Sequence, residues 1–72
     1  SLDVPIGEDA ESYIVRVLNG TTVLREEIVS APAWTYTAAM QTADGAVAPF
    51  TLAVTQSSTA FGAGPYRTLD VA

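Results

Sequence analysis

Residues 50–71 read FTLAVTQSSTAFGAGPYRTLDV, and this stretch decides the fold. Phe50, Leu52 and Val54 alternate with Thr51, Ala53 and Thr55, the period of two expected of a half-buried strand. From Ser57 to Pro65, small residues surround one aromatic, Phe61, and Gly62 and Gly64 supply the positive-φ freedom of a turn. Tyr66-Arg67-Thr68-Leu69-Asp70-Val71 resumes the alternation, with Leu69 and Val71 facing one way. The stretch is predicted to be a terminal β-hairpin with one apolar face. Everything upstream must supply that face with a partner.

Composition limits what the partner can be. Seventy-two residues make one domain at most. At that size the area buried roughly balances an ordering cost of about 1.5 kcal/mol per residue. The chain has no Cys, hence no disulfide staple, and no His, the commonest metal ligand and general base. Three Arg, no Lys and eight acids give a net charge of −5. That balance argues against nucleic acid, where phosphate must be neutralised by basic side chains. No apolar run approaches the ~20 residues of a membrane span, and no stretch reads as a signal peptide. The chain begins without Met, as expected of a piece of a longer protein, and Ser1-Leu2 fits vector-derived residues.

Upstream of the hairpin, residues 1–11 read as an acidic, irregular leader. Glu8-Asp9-Ala10-Glu11 sets three carboxylates within four residues, but lacks the Gly and spacing of a calcium loop. A solvated lead-in is expected there, and no metal. From Ser12 to Leu18 the alternation is clean, with Tyr13, Val15 and Val17 on one face and Ile14, Arg16 and Leu18 on the other. Asn19-Gly20 is the strong signal of a type I′ hairpin turn, and Thr21 to Val29 returns as the second strand. A two-residue loop pairs Leu18 with Thr21, and a four-residue loop pairs it with Val23. The two registers differ by an even shift, so both put Leu24 and Ile28 in the core with Tyr13, Val15 and Val17. Arg16, Arg25 and Glu27 then share the opposite face, pairing in water at little net value.

Ser30-Ala31-Pro32 ends that strand, and Ala33 to Tyr36 forms a short third one with Trp34 and Tyr36 on the same side. A Trp-x-Tyr pair suits either a carbohydrate-stacking platform or a core rim, and the core is expected. Thr37 can cap a helix, Ala38 to Gln41 favour one, and Gly45 suits its end. One or two helical turns there would cross from one sheet to the other. The sum is five strands and one short helical crossover, an all-β antiparallel β-sandwich with fewer strands than the about seven of an immunoglobulin-like one.

The order of these motifs carries a resemblance. Phe50-x-Leu52-x-Val54, the Gly62-x-Gly64-Pro65 turn and the last alternating strand resemble the final two strands of a fibronectin type III domain. Tyr13-Ile14-Val15-Arg16-Val17 resembles its third strand. Further pieces are Pro5-x-Gly7-Glu8, Glu11-x-Tyr13-x-Val15 and Val23-x-Arg25. With Tyr36-Thr37-x-Ala39-x-Gln41-x-Ala43-Asp44-Gly45 and Val54-x-Gln56-x-Ser58-x-x-x-Gly62-x-Gly64, they look like a module of large tailed-bacteriophage tail proteins. These are the baseplate-hub, tip-attachment and host-specificity proteins of siphophages, prophages and gene-transfer-agent particles. The likeness spans nearly the whole chain. It departs at Asp44-Gly45, adjacent here where the family pattern usually places an aromatic between them.

The family module starts further upstream, with two strands before Asp3. The resemblance therefore implies an incomplete fibronectin III/immunoglobulin-like sandwich, residues 12–72 being the C-terminal part of a larger domain. Missing strands leave core side chains and sheet edges exposed. Self-association by edge pairing or strand swapping is the expected response.

The function implied is a non-enzymatic structural and interaction module of a phage or prophage tail protein. It spaces neighbouring domains in the virion tail and contributes to host-surface attachment. Its partners are other tail domains or subunits and a host-surface receptor, with no cofactor and no membrane span; as an excised domain it is expected to be soluble. Turn residues are the candidate contacts: Phe61, Gly62, Gly64 and Tyr66, with Trp34 added. Against that stands the expectation that Phe61 folds back over the end of the sandwich as a plug. The alternative is an accessory carbohydrate- or surface-binding sandwich of a secreted bacterial enzyme or adhesin, with Trp34, Tyr36, Phe61 and Tyr66 as stacking residues. Catalysis is disfavoured, because the carboxylates are scattered and Ser57-Ser58 has neither His nor Lys to serve as a base.

Overall fold

The structure, a computed structural model, describes residues 1–6, 10 and 12–72. Its elements are β1 (Leu2–Pro5), β2 (Ser12–Asn19), β3 (Thr22–Val29), β4 (Ala33–Tyr36), α1 (Ala38–Asp44), β5 (Phe50–Ser58), β6 (Gly62–Ala63) and β7 (Arg67–Val71). β2 and β5 are the centre because theirs are the longest apolar alternations. They pair antiparallel with Val15 opposite Val54 and Val17 opposite Leu52. The larger sheet runs β3-β2-β5-β7, with the short β6 also on β5, and β1 and β4 form a second, two-stranded sheet. All pairings are antiparallel, so the all-β, sandwich-like expectation holds.

The core lies between the two sheets. Tyr13, Val15 and Val17 of β2 and Phe50, Leu52 and Val54 of β5 meet Val4, Ile6, Trp34 and Tyr36 from the smaller sheet and its continuation. Trp34 stacks on Tyr36 at 5.3 Å between ring centroids, and Tyr36 meets Phe50 edge-on at 5.9 Å. Both arrangements suit aromatic quadrupoles. Ala53 and Thr55, on the other side of β5, are also buried. They sit on a central strand, and the Thr55 hydroxyl is satisfied by donating to the Gly64 carbonyl at 2.7 Å.

Four expectations change. First, the leader is not wholly irregular. Leu2–Pro5 is a strand paired with β4, and Val4 and Ile6 are core residues. Second, the described residues contain seven strands rather than five, the additions being β1 and the two-residue β6. Third, the β2–β3 hairpin takes the expected Leu18–Val23 register, but the ladder runs one pair further to Asn19–Thr22, so the loop's central residues are Gly20 and Thr21. Gly20 alone has positive φ, at 61°, whereas a type I′ turn needs it at both central positions.

Fourth, a bulge flips the far half of β3. Leu18 pairs with Val23 but Val17 pairs with Arg25, leaving Leu24 as the extra residue. One extra residue is an odd shift, and an odd shift exchanges faces. Arg25, Glu27 and Val29 therefore lie opposite Val17, Val15 and Tyr13 on the core side, while Ile28 lies opposite Ile14 and is 73% exposed. Leu24 remains partly buried against the core.

The helical crossover forms as expected and links the two sheets. Thr37 accepts the Met40 N–H on its hydroxyl at 3.1 Å, and Gly45 closes the helix in the left-handed conformation, with φ 65°.

Candidate functional site

The five residues expected to make contacts do not converge on one surface. Phe61, Gly62 and Gly64 stay together at the β5–β6 tip. There Gly62 pairs with Ser58 and Ala63 with Ser57. The Phe61 N–H donates to Ser58 Oγ at 3.0 Å, and the Gly64 N–H donates to the Gln56 carbonyl at 3.0 Å. Gly62 has φ 70°, where a side chain would be strained. With its backbone pinned in this way, the turn aims Phe61 outward at 92% exposure. The plug expectation is overturned, since Phe61 covers nothing.

Tyr66 sits elsewhere. It is half-buried, and the Arg16 guanidinium lies over its ring, 4.7 Å from Cζ to the centroid. Arg16 also pairs with Glu26, its cross-strand neighbour. Trp34 is 8% exposed and Tyr36 fully buried, so the two do not form a stacking platform. Of the four stacking candidates, only Phe61 and part of Tyr66 reach the surface.

Sequence reasoning missed a polar cluster on the β3 side. The bulge turns Arg25 inward, where its Nε donates to Asp44 Oδ2 at 2.7 Å and its Nη1 to Glu27 Oε2 at 2.7 Å. The Tyr36 hydroxyl donates to the same Asp44 oxygen at 2.7 Å, and Gln41 Nε2 donates to the Tyr36 carbonyl at 3.2 Å. β3, β4 and α1 are thereby tied together. The hydrogen bonds from Arg25 and then Tyr36 hold the Asp44 carboxyl below its usual range. Burial, with the Asp44 hydrogen bond second, pushes the Tyr36 hydroxyl up to about 12. Hydrogen bonds to Asp44 and Glu27 raise the Arg25 guanidinium. One signal was available: a carboxylate in the last turn of a helix faces the negative end of the dipole and calls for a cation. Which cation depends on the bulge.

The opposite side of the sheet is built differently. Leu52 and Leu69 face each other across β5 and β7, yet Leu52 is 1% exposed and Leu69 52%. An open groove runs there between Val4, Leu52, Val54, Arg67, Thr68 and Leu69. Arg67 crosses toward β1 and donates from Nη2 to the Ile6 carbonyl.

The carboxylates considered for calcium, Glu8, Asp9 and Glu11, lie outside the described residues. Among the described residues no three acids come together as metal ligands, and no helix is long and apolar enough to cross a membrane. The chain matches no family model, no curated protein and no solved structure.

Proposed function

We propose that the chain is a non-enzymatic structural and interaction module of a phage or prophage tail protein. It spaces neighbouring domains in the virion tail and offers the β5–β6 tip to an adjoining subunit or host-surface receptor. The tail-protein assignment rests on the motif resemblance. The interaction role rests on one observation: Phe61, 92% exposed, is carried by a hairpin turn whose backbone is pinned by hydrogen bonds. Aromatic side chains are enriched in protein interfaces, and one presented on a pinned turn has less ordering cost to meet on binding. The polar groups brought together at the β3 flank, Arg25, Glu27, Tyr36 and Asp44, pair with one another.

The test is Phe61→Ser in the intact tail protein. Adsorption to the host or assembly of the particle is expected to fall about tenfold or more, while the melting temperature of the chain itself stays unchanged. Particles that assemble and adsorb normally would refute the contact role. A flanking reading frame that encodes a glycosidase rather than tail-hub or receptor-tip domains would instead select the accessory carbohydrate-binding reading.

A further inference from the structure

We propose that the free edge of β1 and the open side of β7 together form a strand-acceptor site. Its ligand is an extended peptide segment of another chain, with apolar side chains at alternate positions and a carboxylate near Arg67. This inference stands on the open groove alone and is independent of the tail-protein reading.

The two layers are unequal in width. The larger sheet spans β3, β2, β5 and β7, three inter-strand gaps of ~4.8 Å, whereas the smaller sheet spans a single gap. On the β3 side the deficit is filled by α1, through Asp44. On the β7 side nothing among the described residues fills it. Leu69 therefore stands 52% exposed beside the buried Leu52, Val54 and Val4.

The backbone next to the gap favours a strand over other occupants. The Ile6 N–H donates to the Pro32 carbonyl at 3.2 Å, which continues the register that pairs Val4 with Trp34 and Leu2 with Tyr36. In an antiparallel ladder the residues between such pairs turn their backbone groups the other way. Asp3 N–H, Asp3 C=O and Pro5 C=O consequently point to the free edge, and among the described residues β1 pairs with no strand but β4. An incoming strand can donate twice and accept once while setting alternate side chains over Leu69.

Charge selects the ligand further. Among the described residues Arg67 pairs with no carboxylate, and its one recorded partner is the Ile6 carbonyl. A second copy of the chain is a poor occupant, because each chain carries a net charge of −5 and two copies repel.

The experiment uses the 72-residue chain and a synthetic peptide, Thr-Glu-Thr-Val-Thr-Val-Thr, whose Glu shares the inward face with its two Val side chains, at millimolar concentration, followed by NMR. Binding is expected to slow hydrogen exchange of the Asp3 amide about tenfold and to shift the Leu69 methyl resonances in a saturable way. Replacing the peptide's Glu by Lys is expected to weaken binding about fivefold at low salt, and this arm needs no protein variant. Leu69→Asp is expected to abolish the peptide's slowing of the Asp3 amide while the fold persists, because Leu69 is already half exposed. Shifts that map to the β3 edge or the Phe61 tip, or an Asp3 amide that is unaffected, would overturn the proposal. So would an Asp3 amide already protected in a dimer of the chain alone, which would make a second copy the occupant.

Discussion

The β3 and β7 flanks lie at opposite edges of the same sheet, and both direct side chains toward the second layer. On the β3 flank these are Arg25, Glu27 and Val29; on the β7 flank they are Arg67, Leu69 and Val71. The β3 flank is closed by polar means, with Arg25 reaching Asp44 at the end of α1 and Tyr36 joining the same oxygen. The β7 flank carries the more apolar residues and is the open one. Strand alternation thus decides which side chains face inward. Whether they are buried is decided by what the second layer places over them.

The sharpest way to break this comparison uses two leucines that face each other. Leu52→Ala removes a side chain that is 1% exposed, and is expected to cost about 2–5 kcal/mol in a urea titration. That is a large share of the stability of a domain this small. Leu69→Ala, on its cross-strand partner, is expected to cost about 0.5 kcal/mol or less, as surface changes do. Similar losses at the two positions would mean that the β7 flank is covered.

A smaller effect tests the closed flank. Tyr36→Phe deletes one hydroxyl and leaves Asp44 its bond to Arg25, so a loss of about 1 kcal/mol is expected. The pH dependence is more specific. The Tyr36 hydroxyl is pushed up from 10.0 to about 12, so between those values the unfolded chain gives up this proton more readily than the folded one. Stability that is constant below pH 10 is therefore expected to fall as pH rises from 10 toward 12 at this residue, and Tyr36→Phe is expected to remove that fall. Asp44 works in the other direction. Its folded value lies below the ordinary 3.8, so its contribution is complete above 3.8 and is lost as pH drops through the folded value. Asp44→Asn is expected to be less stable than the parent at neutral pH and to converge with it in strong acid. A difference that persists in acid would show that the carboxylate's charge is not what holds the flank.

The features legible in the sequence were those set by local rules. Tyr13, Val15, Val17, Phe50, Leu52 and Val54 all lie in the core that their alternation predicted. Thr37 and Gly45 bound the helix as their side-chain chemistry requires. The obscured features depend on distant partners. In β1, Asp3 sits between Leu2 and Val4 in an acidic segment, and the period-two pattern is too short to show until β4 is beside it. At the tip, Gly62 announced a turn, but the outward aim of Phe61 follows from the bonds to Ser58 and Gln56 that pin the turn. The polar cluster was hidden because it requires the extra residue in β3.

That extra residue permits the smallest and most selective test. Straight alternation puts Ile28 in the core, whereas the bulge at Leu24 turns it outward opposite Ile14. With Ile28 73% exposed, Ile28→Thr is expected to change stability by about 0.5 kcal/mol or less. Its neighbour Val29, partly buried against the core and opposite Tyr13, is expected to respond more strongly to the same replacement. The order of these two losses reports the register directly, because a one-residue slip exchanges their faces. Were Ile28 the costlier position, the bulge would be absent, Arg25 would point to solvent, and Asp44 would lose its cation. The closed flank of the molecule therefore depends on one unpaired residue in a strand, and a pair of conservative surface-scale substitutions is enough to show it.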